Sequence, residues 1–153
     1  MDIQNELQNK LFEKISNDNF AKFMGIKLES LKPGYARLSM TFTKEMLNFH
    51  GIIHGGAIFA LADAAFAASS NSHGITSIAL NMNINFLSAV QPGQKLIAEG
   101  SEEKAARKIG VYRITVKNIE GELIAVAEGV VYRKESMPFE DNRLSSGSYP
   151  QGG

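Results

Sequence analysis

The chain predicts an α+β fold in which an antiparallel sheet curls around one long apolar helix. Three observations carry this. Residues 54–69 read His-Gly-Gly-Ala-Ile-Phe-Ala-Leu-Ala-Asp-Ala-Ala-Phe-Ala-Ala-Ser, an alanine-rich, helix-favouring run interrupted only by Asp63. A helix apolar nearly all round is normally buried. Residues 35–43 alternate, with Ala36, Leu38, Met40 and Phe42 on one side and Tyr35, Arg37, Ser39, Thr41 and Thr43 on the other. That is the pattern of a half-buried strand. Further alternating segments follow the helix, joined by short turns, as in an antiparallel sheet whose apolar face needs a cover. Small alanine side chains let such a sheet wrap closely around its helix.

The remaining elements follow in order. Within residues 2–24, Ile3, Leu7, Leu11 and Ile15 recur every fourth position, which predicts an amphipathic helix. Ser16-Asn17-Asp18-Asn19 breaks it before a short second turn carrying Phe20, Phe23 and Met24. A strand at 26–31 is joined to 35–43 through Lys32-Pro33-Gly34. Beyond the helix, Ile78, Leu80, Met82, Ile84 and Phe86 alternate with Ala79, Asn81, Asn83 and Asn85, and Gln91-Pro92-Gly93 ends that strand. Residues 94–103, 108–117 and 122–133 complete the sheet. The pattern dies after Lys134, so 1–135 reads as one domain with a helical segment at 1–24, and 136–153 as a loose tail.

Bulk properties narrow the function. A chain of 153 residues buries enough surface to fold without a metal or disulfide staple. It has no cysteine, which removes disulfides, thiolate metal sites and Cys nucleophiles together. Sixteen basic residues balance sixteen acidic ones, so there is no electrostatic case for nucleic acid. The run from Ala57 to Ala68 is too short to span a bilayer, and the first residues lack the plan of a signal peptide. A soluble, cytoplasmic protein without metal or cofactor is expected.

Chemistry concentrates around the start of the long helix. Gly55 and Gly56 permit a ligand close to bare backbone, and first-turn N–H groups have no intrahelical partner. Such a terminus can hold an oxyanion developing on a carbonyl. His54 and Asn48 add side chains able to orient the same group. Taken singly, each has a plainer reading: a tight helix entry for the glycines, a backbone cap for His54, a bond to a neighbouring strand for a buried Asp63.

Asp63 lies eight residues after Gly55, about 12 Å along a helix axis. A carbonyl held at the Gly55 amide is therefore beyond reach of Asp63 in the same chain. If both act on one substrate, Asp63 comes from a second copy, and an isologous dimer follows.

At these residues the chain resembles the hotdog-fold thioesterases, specifically the phenylacetic-acid-degradation (PaaI-type) group. The likeness is carried by Met46-Leu47-Asn48, His54-Gly55-Gly56, Phe59-x-Leu61-Ala62-Asp63-x-Ala65-Phe66-Ala67, Asn71-Ser72-x-Gly74, Asn85-Phe86-Leu87 and Gly110-Val111-Tyr112. It covers about residues 20–133 and is far less specific for the acyl group than for the superfamily. It implies hydrolysis of acyl-coenzyme A thioesters at a dimer interface, with dimers joined edge to edge and often paired into homotetramers. Coenzyme A is then part of the substrate. By likeness, Asn48 and the Gly55 amide polarise the thioester carbonyl, His54 helps to position it, and the partner's Asp63 activates water or attacks carbon.

Some relatives place Ser or Thr on the strand after the helix to hold the lytic water. Here Asn81 is the nearest candidate, against the plainer reading of Asn81, Asn83 and Asn85 as a solvated or subunit-facing strand face. Lys104, Arg107 and Lys108 cluster at a turn where relatives hold the nucleotide, although a solvated hairpin end explains them as well. Gly56, Phe59, Phe66 and Met46 are candidates for the acyl side of the site, with core packing the plainer reading of the last three. An aryl- or medium-chain acyl-CoA is the expected substrate. The alternatives are a hydratase or dehydratase of the same fold, whose usual local motifs are missing here, and a non-catalytic acyl-CoA binding protein.

Overall fold

The computed structural model describes residues 3–134; the tail expected at 136–153 lies outside them. Two helices come first, α1 (Ile3–Ser16) and α2 (Asn19–Met24). Asp18 caps α2 by accepting the Ala21 N–H at 2.7 Å, and Gly25, at φ 77°, ends it in the left-handed conformation that glycine adopts freely. Then come β1 (Lys27–Lys32), β2 (Tyr35–Thr41), a single 3-10 turn at Lys44–Met46, and the long helix α3 (Gly55–Asn71). Four strands follow: β3 (Ser77–Phe86), β4 (Lys95–Ala105), β5 (Ile109–Asn118) and β6 (Leu123–Arg133).

All six strands form one antiparallel sheet in the order β1-β2-β4-β5-β6-β3, the wrapped-helix architecture expected from the sequence. Chain order is broken once. Residues after β3 cross over so that β4 pairs with β2, which leaves β3 as an outer edge beside β6. β1 is the other edge, and it carries Lys27, Glu29 and Lys32, charges that discourage further pairing.

The core lies between the concave sheet face and α3, which rests chiefly on β4, β2 and β5. Two glycines set how close the helix comes. A Cβ at Gly100 would stand 2.6 Å from the Ala65 carbonyl oxygen, and one at Gly129 would stand 2.5 Å from the Phe66 ring. Alanines on the helix and glycines on the strands therefore act as one device for close packing.

Two local readings are corrected. A β-bulge at Leu80 shifts β3 by one residue, so the strand does not keep a single alternation. Met82 and Ile84 pack on the core, whereas Ile78 and Leu80 are exposed, Leu80 at 61%. The helix α3 is not covered all round either. The sheet takes one side, and Gly56, Phe59, Asp63 and Ala67 form a stripe at helical spacing on the other, three of them exposed and Phe59 half-buried.

Candidate active site

The first turn of α3 is arranged unusually. His54 is its N-cap, with φ −61° and ψ 132°, and its Nδ1 accepts the Gly56 N–H at 2.8 Å. Ala57 donates to the His54 carbonyl at 2.9 Å. Among the described residues the Gly55 N–H has no partner, one free donor at the positive end of a helix dipole. Because Nδ1 accepts, the neutral ring carries its proton on Nε2, which is exposed. The plainer reading of His54 as a cap is thus correct as to Nδ1, and Gly56 is spent on that cap.

Asn48 stands beside this turn. Its Oδ1 accepts from the backbone of His50 at 2.9 Å and Ile52 at 3.3 Å, which orders the 48–52 loop and leaves Nδ2 as a donor without a partner among the described residues. Asn48 and Gly55 line one recess of about 270 Å³, closed by Ile58, Phe86 and Val90. The Phe86 ring lies over Gly55 so closely that a Cβ there would be 3.3 Å from it. The glycine thus serves close approach.

Asp63 does not line that recess. It lies in another, of about 330 Å³, between α3 and the α1–α2 pair. The expectation of a buried, bonded Asp63 is corrected: its side chain is exposed in the chain and makes no hydrogen bond or ion pair among the described residues. The reason is that the sheet covers only one side of α3. Partial desolvation in the recess, and then the neighbouring Asp18 charge, hold its carboxyl above the ordinary Asp value.

The other sequence candidates scatter. Phe66 is 1% exposed and packs on the Tyr112 ring, centroids 6.0 Å apart, so it is a core side chain and lines neither recess. Met46 is partly buried against the core, and its carbonyl accepts the His54 N–H at 2.8 Å. Phe59 is half-buried on the open stripe of α3. Asn81 is exposed on the outer edge, its Oδ1 accepting from Asn83 at 3.1 Å. Lys104, Arg107 and Lys108 are exposed around the β4–β5 turn, which bonds to the end of β6 through Arg133 N–H and the Lys108 carbonyl at 2.8 Å. Arg133 pairs with Ser77 at the start of β3, while Phe86 ends it, so the basic turn and Gly55 stand about 30 Å apart along the strand. The Asp18 and Phe20 walls of the Asp63 recess carried no sequence signal beyond a helix break and an apolar turn.

A helix start with one free donor, a neighbouring amide donor and a carboxylate on the same helix suit chemistry on an acyl carbonyl. Family comparison agrees. The Thioesterase superfamily model matches residues 50–125, which contain Gly55, the whole of α3 and Asp63. The chain is 42% identical over 117 residues to a protein of Archaeoglobus fulgidus assigned as an esterase only by inference, covering 76% of each chain. It is 38% identical over 117 residues to the acyl-coenzyme A thioesterase PaaI of Escherichia coli, covering 76% of this chain and 84% of that one. The solved Escherichia coli PaaI structure superposes with a TM-score of 0.83 at 32% identity, over 89% of this chain and 99% of the other. A Streptococcus mutans protein solved with acetyl CoA matches at a TM-score of 0.70 and 27% identity, over 73% of this chain and 90% of that one.

The chain belongs to the thioesterase superfamily, as a thioester hydrolase of hotdog fold. Within that class its likeness is to the PaaI type. No helix among the described residues is long and apolar enough to cross a membrane.

Proposed function

We propose that this protein hydrolyses aryl- or medium-chain acyl-CoA thioesters at a site shared between two copies of the chain. The observation that carries the reading is the separation of donors and carboxylate. Gly55 and Asn48 line one recess, and Asp63 lines another, eight residues along the same helix. In this reading the thioester carbonyl accepts from the Gly55 N–H and Asn48 Nδ2 of one copy. Asp63 of the second copy either takes the proton of an attacking water or adds to the carbonyl carbon itself. Collapse of the tetrahedral adduct breaks the C–S bond. In the first route the proton held by Asp63 passes to the leaving sulfur and the free acid forms directly. In the second the thiolate is protonated by water, and the acyl–Asp63 anhydride left behind is hydrolysed by a second water to the acid and the Asp63 carboxylate. The raised Asp63 carboxyl supports proton transfer, since a base works best nearer the operating pH.

The sheet edge supports the same assembly. Among the described residues β3 is paired on one side only, and it exposes Ile78, Leu80 and Phe86 beside Asn81, Asn83 and Asn85. An open edge of ten residues is a template for a second strand. Antiparallel pairing of two β3 strands about a twofold axis sets the Ser77 end of one beside the Phe86 end of the other. Lys104, Arg107 and Lys108 of one copy then approach Gly55 of the next, where the coenzyme A phosphates are to be held. A homodimer is the minimum for this site, and pairing of dimers into a homotetramer follows the family likeness.

Thiol release from a panel of aryl-, short- and long-chain acyl-CoAs, with wild type and Asp63→Asn, tests reaction and residue together. Release that depends on Asp63 and favours aryl or medium chains supports the reading. Undiminished turnover in Asp63→Asn contradicts it.

A further inference from the structure

The recess that holds Asp63 has a composition unlike the Gly55 recess. Its floor is the open side of α3, where Ala60, Ala64, Ala67 and Ala68 leave depth because none has a side chain beyond Cβ. Its roof is α1 and α2, through Leu11, Ile15 and Phe20, with Lys14 and Asp18 also on the lining. Asn71 lines it at the C-terminal end of α3. Asn71 donates to the Ala67 and Ser77 carbonyls at 2.9 and 3.1 Å and accepts the Ser77 N–H at 2.9 Å, so its side chain is already engaged. Asn71 lies eight residues beyond Asp63, about 12 Å along the helix. The result is a mostly apolar trough that runs from a carboxylate to an amide already engaged with backbone.

We propose that this trough receives the acyl group, so that the α1–α2 roof and the alanine floor of the Asp63-bearing copy set acyl-chain selectivity. The inference rests on the acyl-CoA reading above and deepens it. A carbonyl held by one copy's Gly55 and facing the partner's Asp63 has its acyl substituent directed toward the partner's trough. The volume sets the size class. About 330 Å³ lies at the small end of ligand pockets, which suits an aryl or medium alkyl group and excludes a long chain. The roof lies outside residues 50–125, the span the superfamily model matches, so part of the selectivity is carried by a different part of the chain from the carbonyl chemistry.

Two substitutions test this. Ala67 is exposed one turn beyond Asp63, so Ala67→Phe fills the trough without crowding the core. Phe20 is 58% exposed, so Phe20→Ala strips the roof at little cost to folding. Thiol release is measured with acetyl-, octanoyl- and phenylacetyl-CoA on protein whose fold and association state match wild type. The octanoyl-to-acetyl ratio of kcat/KM is expected to fall about tenfold or more in Ala67→Phe and roughly threefold in Phe20→Ala, since each buried methylene is worth about a factor of four. A ratio unchanged in both overturns the inference.

Calorimetric titration of acetyl- and octanoyl-CoA into Asp63→Asn, with and without Ala67→Phe, separates this inference from the reading beneath it. If wild type releases no thiol, yet Ala67→Phe weakens octanoyl-CoA binding about tenfold and acetyl-CoA binding far less, the trough stands and hydrolysis fails. If hydrolysis proceeds but Ala67→Phe changes neither chain-length preference nor affinity, the trough fails alone, and a second copy is what covers this face.

Discussion

The two ends of α3 are built to opposite rules. At its C-terminal end the polar groups bond one another. Ser69 and Ser70 hydroxyls donate to the carbonyls of Phe66 and Ala67, and Ser72 donates to Ser69 O while accepting the Gly34 N–H at 2.7 Å. Just beyond, His73 Nε2 and the Tyr112 hydroxyl meet Glu102 Oε2 at 2.7 and 2.8 Å. Burial disfavours the Glu102 carboxylate, but these two partners outweigh it and hold the group below its ordinary value. At the N-terminal end the Gly55 N–H and Asn48 Nδ2 have no bond among the described residues, and neither has Asp63 at mid-helix. A satisfied network rigidifies a fold, whereas unspent donors and an unpaired carboxylate destabilise it unless a substrate uses them. The contrast sets a bonded end of the helix against one that keeps unspent donors.

Substitutions should therefore separate activity from stability according to the end they touch. The largest effect is expected from Asp63→Asn, with kcat down about a hundredfold or more for a lost base or nucleophile. Its thermal midpoint at neutral pH should not fall. A carboxyl held above its unfolded value costs the folded state stability at pH above both values, and Asn removes that cost. A large drop in the midpoint would place Asp63 among the structural groups instead.

Next comes Gly55→Pro, which deletes the free N–H and nothing else the helix uses. Proline suits the first helical position, and His54 at ψ 132° already has the conformation a following proline requires. Thiol release should fall about a hundredfold, the usual cost of one oxyanion donor. Gly55→Ala keeps the N–H and has only to displace the half-exposed Phe86 ring, so its loss should be much smaller. Equal losses in the two would mean that bulk beside Phe86, and not the donor, matters.

At the closed end, Tyr112→Phe should leave kcat unchanged and cost about 1–2 kcal/mol in chemical denaturation, because Glu102 loses a donor. Glu102 is held below its ordinary value, so its contribution is present at neutral pH and is lost as pH falls through that lowered value. The penalty should accordingly shrink in acid. The smallest effect is expected from Asp18→Asn. Asp18 opposes ionisation of Asp63, so its removal should move the acid limb of the kcat/KM profile to lower pH with the plateau nearly unchanged. A limb that stays put would leave the wall of the trough, and not Asp18, as the cause of the raised value.

Much of this contrast was legible in the sequence and part was not. Alternation placed β2 and β4 to β6 within about two residues, because those strands are buried on one face only and the period survives. It failed at Leu80, since a bulge inserts a residue without changing composition. The crossover that sends β3 to the outer edge was invisible because short turns promise neighbouring strands. Gly55, Asn48 and His54 were found because donors at a helix start have a spacing signature. Asp63 was found for the opposite reason to the one observed: an apolar helix suggested burial, whereas the open side of α3 exposes it. Phe66 belongs to the core, the plainer of its two sequence readings, and its contacts with Gly129 and Tyr112 hold it there. The roof of the trough comes from residues some forty positions away, beyond the reach of any local pattern.

The central claim is that one copy supplies the Gly55 donor and the other supplies Asp63. Co-expression of Gly55→Pro and Asp63→Asn chains under different tags, with purification through both, tests it most directly. Each parent homodimer should be nearly inactive, but a mixed dimer holds one intact donor half facing one intact Asp63. Thiol release from the doubly tagged fraction should reach about half of wild type per dimer, as a twofold site requires. Activity no higher than that of the parents would mean that both groups act within one chain.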